Sequence, residues 1–281
     1  MRRIFWDIDI QQKFDRDGFV VVNLLPRETT LQLIQLYGEL EGAKGTANTN
    51  QNSYELSFFD KNVEAKKKKF NSIYELLKSN IDSYLIDYKP IIVNLFNKAP
   101  STGEVPIHQN WTFVDESKYS SVSVWCPLQN VDRQNGTLEV VPGSQKVISD
   151  YRGPSIPWVF DNLNPILKEK YMVPLNLEPG QVGIIDDALV HYSGINNSQN
   201  ERKAVQLILK PAEAMTIHCY KDSEDSEDLH IIDVNEDFYF DFDMWVKPRE
   251  TPNKKTIRFP NFKLTEQELR SRLSKNISTG E

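Results

Sequence analysis

Residues 121–146 read SVSVWCPLQNVDRQNGTLEVVPGSQK, with two short β-rich runs, SVSVWCPL and TLEVVPGS, on either side of Asn135-Gly136. That dipeptide favours a tight turn because both residues tolerate positive φ, and it predicts a hairpin between the runs. Pro142-Gly143 closes the second run. The same pattern continues in both directions from about Pro90: IIVNLF, VPIHQNWTF, QVGIID and KAVQLILKP are further short β-rich segments, and Pro179-Gly180 marks another turn.

Upstream the period changes. FDRDGFVVVNLLPRETT places Gly18 before the β-branched run Val20 to Val22, and Pro26 where a helix can start. Leu33, Leu36, Tyr37 and Leu40 then fall on one helical face, as do Phe70, Ile73, Tyr74 and Leu77. The lysines at 66–69 read as a solvated face at the start of that second helix. Residues 42–53 read as a polar loop. Helices followed by many short strands predict a mainly β fold, an antiparallel barrel or double-sheet jelly roll with the N-terminal helices packed on one outer face. After Lys210 the pattern weakens. Residues 221–228, KDSEDSED, read as an acidic loop, and 236–245, EDFYFDFDMW, as an edge strand or lip. Thr265 with Glu268 forms a capping box for a short terminal helix.

The 281 residues are read as one domain, 1–281, with a β core at about 90–211 and an acidic, aromatic extension at 212–281. A formal charge of -7 argues against a nucleic-acid surface. No run is long enough to span a membrane, and the start MRRIFWDIDIQQKF, with Asp7 and Asp9, is a poor signal peptide. The two cysteines, Cys126 and Cys219, form no metal or disulfide framework, so a reducing, cytoplasmic setting is expected.

Four histidines are present: His108, His191, His218 and His230. On a strand, residues two apart share a face, so His108 and Asn110 are expected to point into one cavity. His191 follows QVGIIDDALV and is placed to reach the rim of that cavity. Arg202 begins KAVQLILKP and is placed as a fixed cation for a carboxylate. His218 and His230 lack a partner pattern and read as structural.

HQNWTFVDE, SVWCPLQNVDRQNGTLEVVPGSQK, PGQVGIIDDALVHYSGINNSQNER and the opening FDRDGFVVV together resemble the phytanoyl-CoA dioxygenase family of iron(II)- and 2-oxoglutarate-dependent oxygenases, from about Phe14 to Pro211. The resemblance implies a cupin-like double-stranded β-helix. It also implies iron held by a His-x-Asp pair and a distal histidine, with positions left open for 2-oxoglutarate and O2. By resemblance His108 is the proximal ligand and His191 the distal one, while Arg202 with Ser193 clamps the far carboxylate of 2-oxoglutarate. Trp125, Lys98 and Asn94 are weaker assignments to the same pocket. The implied reaction is hydroxylation of a small organic or lipid-like substrate coupled to decarboxylation of 2-oxoglutarate. The acyl-CoA of the family's namesake is not carried over, because no basic surface beyond the lysine run suits CoA phosphates.

The chain departs from the family at position 110, where an amide replaces the carboxylate. An amide oxygen is neutral, so a site of His108, Asn110 and His191 should hold iron(II) more weakly. The alternatives are a catalytically impaired 2-oxoglutarate-binding module and, as a minor reading, a halogenase-like variant, although Asn fills the gap a halide needs. Asp115 and Glu116 are less suited as substitute donors, since the family has the same stretch beside an intact Asp.

Overall fold

A computed structural model of the chain describes residues 2–42, 54–147, 150–244, 246–249 and 253–277. Its N-terminal part comprises α1 (Ile8–Asp17), β1 (Phe19–Asn23), α2 (Arg27–Gly42), β2 (Glu55–Leu56) and α3 (Val63–Asp82). The β core follows as β3 (Tyr88–Lys98), β4 (Val105–His108), β5 (Val122–Pro127), β6 (Leu138–Val140), α4 (Asn164–Lys170), β7 (Val173–Pro174), β8 (Gln181–Asp186), β9 (His191–Ser193) and β10 (Arg202–Pro211). A third part contains β11 (Ile217–Tyr220), β12 (Asp228–Asp233), β13 (Lys255–Arg258) and α5 (Glu266–Ile277).

Two sheets face each other. The larger has the order β1-β8-β5-β10-β3-β2 and the smaller β4-β9-β6-β7, with every paired register antiparallel. Strand alternation assigns the two faces of the larger sheet. Val93 and Leu95, Val122 and Val124, Val182 and Ile184, and Val205 and Leu207 join one cluster with Leu33, Tyr37 and Leu40 of α2 and Ile73, Leu77 and Ile81 of α3. The helices therefore cover the outer face, as expected. The alternate residues, including Asn94, Ser123, Trp125, Ile185, Gln206 and Ile208, line the space between the sheets. Because both faces are covered, β5 and β10 are buried along nearly their whole length.

Several expectations need correction. Asn135-Gly136 does make a turn, with Gly136 at φ 73°, but β5 and β6 lie in different sheets, so the turn crosses between sheets and closes no hairpin. Gly136 is required there, because a Cβ would stand 2.3 Å from the Gly194 carbonyl oxygen. The region after Lys210 holds a further sheet, β11-β12-β13, whose Tyr220 and Ile232 pack with Ile92 and Ile208 of the core. Residues 236–244 form a 3-10 turn at Phe238–Phe240 with flanking loop rather than an edge strand, and Trp245 lies outside the described residues. The lysine run is not simply solvated: Lys69 is buried and paired with Asp60 at 2.9 Å, and Lys66 donates to the Phe58 carbonyl. Of the loop at 42–53, Gly42 ends α2 and the rest falls outside the described residues. The capping box holds, with Thr265 and Glu268 bonded reciprocally.

Candidate metal and carboxylate site

His108 ends β4 and His191 begins β9, and the antiparallel register sets them directly opposite each other. Their ring centroids are 4.1 Å apart with planes inclined at 53°. Each Nδ1 meets a backbone carbonyl two residues back, Pro106 at 2.7 Å and Leu189 at 2.8 Å. A carbonyl can only accept, so both rings carry their proton on Nδ1 and keep the Nε2 lone pair free. Burial lowers the pKa of both, and for His191 the neighbouring His108 lowers it further; each is held as the neutral imidazole that a metal takes.

Asn110 lines the same cavity, though not by the route expected. β4 stops at His108, and Asn110 stands in the following loop, its backbone carbonyl receiving Arg152 Nε at 2.7 Å. Its Nδ2 donates to Ser123 Oγ at 2.9 Å and to Asp187 Oδ1 at 2.7 Å. Both amide hydrogens are thereby used. The alternatives at 115 and 116 are engaged elsewhere: Glu116 forms a two-pronged pair with Arg152, and Asp115 binds Ser117 and Lys118. Among the described residues no three His, Cys, Asp or Glu side chains converge as a metal cluster, and the candidate donors at the cavity are two imidazoles and an amide.

Arg202 and Lys98 sit opposite each other at the ends of β10 and β3. Lys98 is fully buried rather than solvated, and its Nζ donates to Ser193 Oγ at 2.5 Å, Ser193 O at 3.0 Å and Gly194 O at 2.7 Å. Burial, reinforced by Arg202, pushes Lys98 down to about 6. The Arg202 guanidinium stands 5.5 Å from the Trp125 ring and donates from Nη2 to Ser193 Oγ at 3.3 Å, while Ser193 Oγ donates on to the Gly136 carbonyl. Arg202 is only 1% exposed, yet its Nε and Nη1 have no hydrogen-bond partner. Burial pushes it down to about 10, which still leaves it charged at neutral pH. A buried, unpaired guanidinium costs several kcal/mol. Its two unused donors suit a planar carboxylate.

The histidine pair, Asn110, Ser193 and Arg202 therefore open on one cavity of about 290 Å³, together with Trp125 and Asn94. Lys98 belongs to the layer behind it. Sequence reasoning missed Gln206, which links Asn94 to Ser123, and Asp187, which looks like one more acid in the run Asp186-Asp187. It also left out the aromatic wall of Tyr54, Phe58, Phe59, Trp111 and Phe113, to which Phe242 and Met244 of the 236–244 segment add from the rim. His218 lies in that aromatic layer against Trp111, and His230 faces Asp222 and Thr256, as structural histidines do.

A family model for phytanoyl-CoA dioxygenase matches residues 14–204, and so covers both histidines, Asn110, Ser193 and Arg202. The chain belongs to the phytanoyl-CoA dioxygenase family. Among its relatives, peroxisomal phytanoyl-CoA dioxygenase of Bos taurus is 28% identical over 156 residues, 50% of this chain and 44% of that protein. Phytanoyl-CoA dioxygenase 1 of Oryza sativa subsp. japonica is 30% identical over 138 residues, 46% of this chain and 48% of the other. The chain thus spans about half the length of the curated relatives it matches. Among solved structures, the epimerase SnoN in complex with Fe3+, alpha ketoglutarate and nogalamycin RO aligns with a TM-score of 0.53 at 16% identity, covering 73% of this chain and 83% of that one. EctD from S. alaskensis with 2-oxoglutarate and 5-hydroxyectoine gives 0.53 at 19% identity, covering 75% and 78%. These likenesses establish the fold as a cupin-like jelly roll. Within the family's region, the free Nε2 atoms and the unmet guanidinium are the features that fit a metal and a dicarboxylate.

Proposed function

We propose that this chain is an iron(II)- and 2-oxoglutarate-dependent oxygenase that hydroxylates a small, largely apolar molecule. The single observation that carries the reading is Arg202, a buried cation with two unused donors that opens on the same cavity as two neutral, metal-ready histidines. His108, His191 and Asn110 hold the metal, and Arg202 with Ser193 receives the distal carboxylate of 2-oxoglutarate. Lys98 fixes Ser193, Trp125 backs the guanidinium, and Asn94 closes the polar floor through Gln206. Bound there, iron(II) with 2-oxoglutarate and O2 supplies the oxidising chemistry, in which 2-oxoglutarate becomes succinate and CO2 and one oxygen atom enters the substrate.

The rest of the cavity selects the substrate by shape and polarity. Tyr54, Phe58, Phe59, Trp111 and Phe113 exclude water and offer aromatic faces. Among the described residues lining the cavity, Arg202 is the one Lys or Arg, and it is assigned to the cosubstrate, so a substrate rich in phosphate finds no counter-charge there. Asn110 is tied to Ser123 and Asp187 and does not vacate a halide position, which favours hydroxylation over halogenation. Residues 1–281 are taken as one oxygenase-like unit, since Met244 lines the cavity from beyond the core and Phe242 packs on its Trp111 and Phe58 wall. Among the described residues no helix is long and apolar enough to cross a membrane. A cytoplasmic setting is the accompanying proposal, supported by two buried, free cysteines and checked by imaging a tagged chain.

The second reading, a 2-oxoglutarate-binding module without turnover, is favoured by one observation, the amide at position 110. Succinate formation from 2-oxoglutarate, measured with iron(II), O2 and a panel of small apolar and aromatic candidates, separates the two. Substrate-stimulated succinate supports the oxygenase; saturable 2-oxoglutarate binding with no succinate for any candidate supports the module.

A further inference from the structure

Asp187 is the unexplained residue beside the candidate metal site. It is completely buried, follows β8 in the turn leading to His191, and receives two polar hydrogens on Oδ1, from Asn110 Nδ2 at 2.7 Å and Ser123 Oγ at 2.8 Å. A carboxylate next to an amide settles how that amide points, because a carboxylate accepts and only the NH2 donates. The Asn110 nitrogen is thereby turned toward Ser123 and Asp187. Its carbonyl oxygen is the atom left for the cavity that His108 and His191 also line.

The same contact bears on the carboxylate that the family resemblance implies at 110. An Asp side chain in the place of Asn110 would bring two carboxylates within about 2.7 Å, in a buried site where their repulsion is opposed by Arg152 alone among the groups acting on Asp187. Negative charge is present beside the histidine pair, but one residue further out. We propose that Asp187 is the positioning residue that lets Asn110 act as the third, oxygen donor to the metal: it orients the amide and supplies, through that hydrogen bond, the negative charge a ligand carboxylate would otherwise bring. Groups that hold a metal ligand from behind typically change affinity by about 10- to 100-fold. The inference rests on the metal-site reading proposed above and adds a residue and a charge distribution to it.

The test is Co(II) binding, read by affinity and by the ligand-field absorption of the bound ion, in the full-length chain without 2-oxoglutarate. The chain as it stands should bind Co(II). Asp187→Asn, which keeps an acceptor but removes the charge, should bind at least tenfold more weakly with an altered spectrum. The exchanged double variant Asn110→Asp with Asp187→Asn, which returns the charge to position 110 and keeps the hydrogen-bonded pair, should recover binding to within about threefold of the unsubstituted chain or better. Near-UV circular dichroism establishes that each variant is folded. Unchanged affinity and spectrum in a folded Asp187→Asn overturn the proposal. Should that variant not fold, an exchanged variant binding more than tenfold more weakly than the unsubstituted chain overturns it instead. Absence of Co(II) binding in the unsubstituted chain would overturn both this inference and the metal-site reading beneath it, whereas binding that ignores position 187 removes the inference alone.

Discussion

Two buried arginines, Arg152 on the Asn110 carbonyl and Arg202 on the cavity that Asn110 lines, are partnered in opposite ways. Arg152 spends its guanidinium on protein: Nε on the Asn110 carbonyl, Nη1 on Glu116 and the Asp150 carbonyl, and Nη2 on the other Glu116 oxygen. Burial opposes its charge, but Glu116 together with Asp186 and Asp187 more than offsets this, and its pKa is raised. Arg202 is as deeply buried, yet meets one hydroxyl and leaves two nitrogens unmet, and burial lowers its pKa to about 10. A satisfied buried cation is part of the architecture, while an unsatisfied one is paid for by the fold and makes sense when a ligand completes it.

Substitution should separate the two roles. Arg152→Met leaves Glu116 buried without its partner and should destabilise the chain by about 3–5 kcal/mol, read from urea unfolding. Arg202→Met should leave stability without 2-oxoglutarate unchanged or raised, because an unpaired buried charge is removed. It should weaken 2-oxoglutarate binding by roughly 100-fold, about 3 kcal/mol, in calorimetry of the metal-loaded protein. An equal loss of stability in both variants would erase the contrast.

The histidines offer a parallel contrast. His108 and His191 open on the cavity, whereas His218 is packed among Trp111, Phe238 and Phe242, and burial pushes it down to about 4. Since the unfolded chain takes up a proton near 6.5 and the folded one near 4, stability from this group is complete above about pH 6.5 and is lost as pH falls toward 4. The loss amounts to something on the order of 2–3 kcal/mol. Melting temperatures between these pH values should fall less steeply in His218→Phe than in the unsubstituted chain. The smallest effect is expected at Lys98: Lys98→Met removes the donor that fixes Ser193 and should weaken 2-oxoglutarate about tenfold, roughly 1.4 kcal/mol, with metal affinity unchanged.

Much of this was legible in the sequence because the signals were local. The β-rich runs KAVQLILKP and SVSVWCPL marked two core strands, and the motifs around His108, His191 and Arg202 identified the three groups that the fold brings to one cavity. What stayed hidden depends on contacts between distant segments. Asp187 gains its meaning from Asn110 and Ser123, 77 and 64 positions away. Lys98, a weak assignment to the pocket from sequence, gains its place behind the cavity only when the Ser193–Gly194 turn closes over it. The C-terminal sheet was missed because DLHIID and KTIR are short and half polar, and they become strands by pairing with each other. The 236–244 segment alternates like a strand, but its aromatic residues pack against Trp111 and His218 through a 3-10 turn, so packing overrode the local pattern.

The central claim is that Arg202 is completed by the carboxylate of 2-oxoglutarate at the cavity holding the His108–His191 pair. Anaerobic titration of 2-oxoglutarate into the iron(II)-loaded chain, followed by the visible charge-transfer band of the chelate, tests this most directly. The band should appear and saturate in the unsubstituted chain and require roughly 100-fold more 2-oxoglutarate in Arg202→Met. No band at saturating iron, or an identical titration in Arg202→Met, would contradict it.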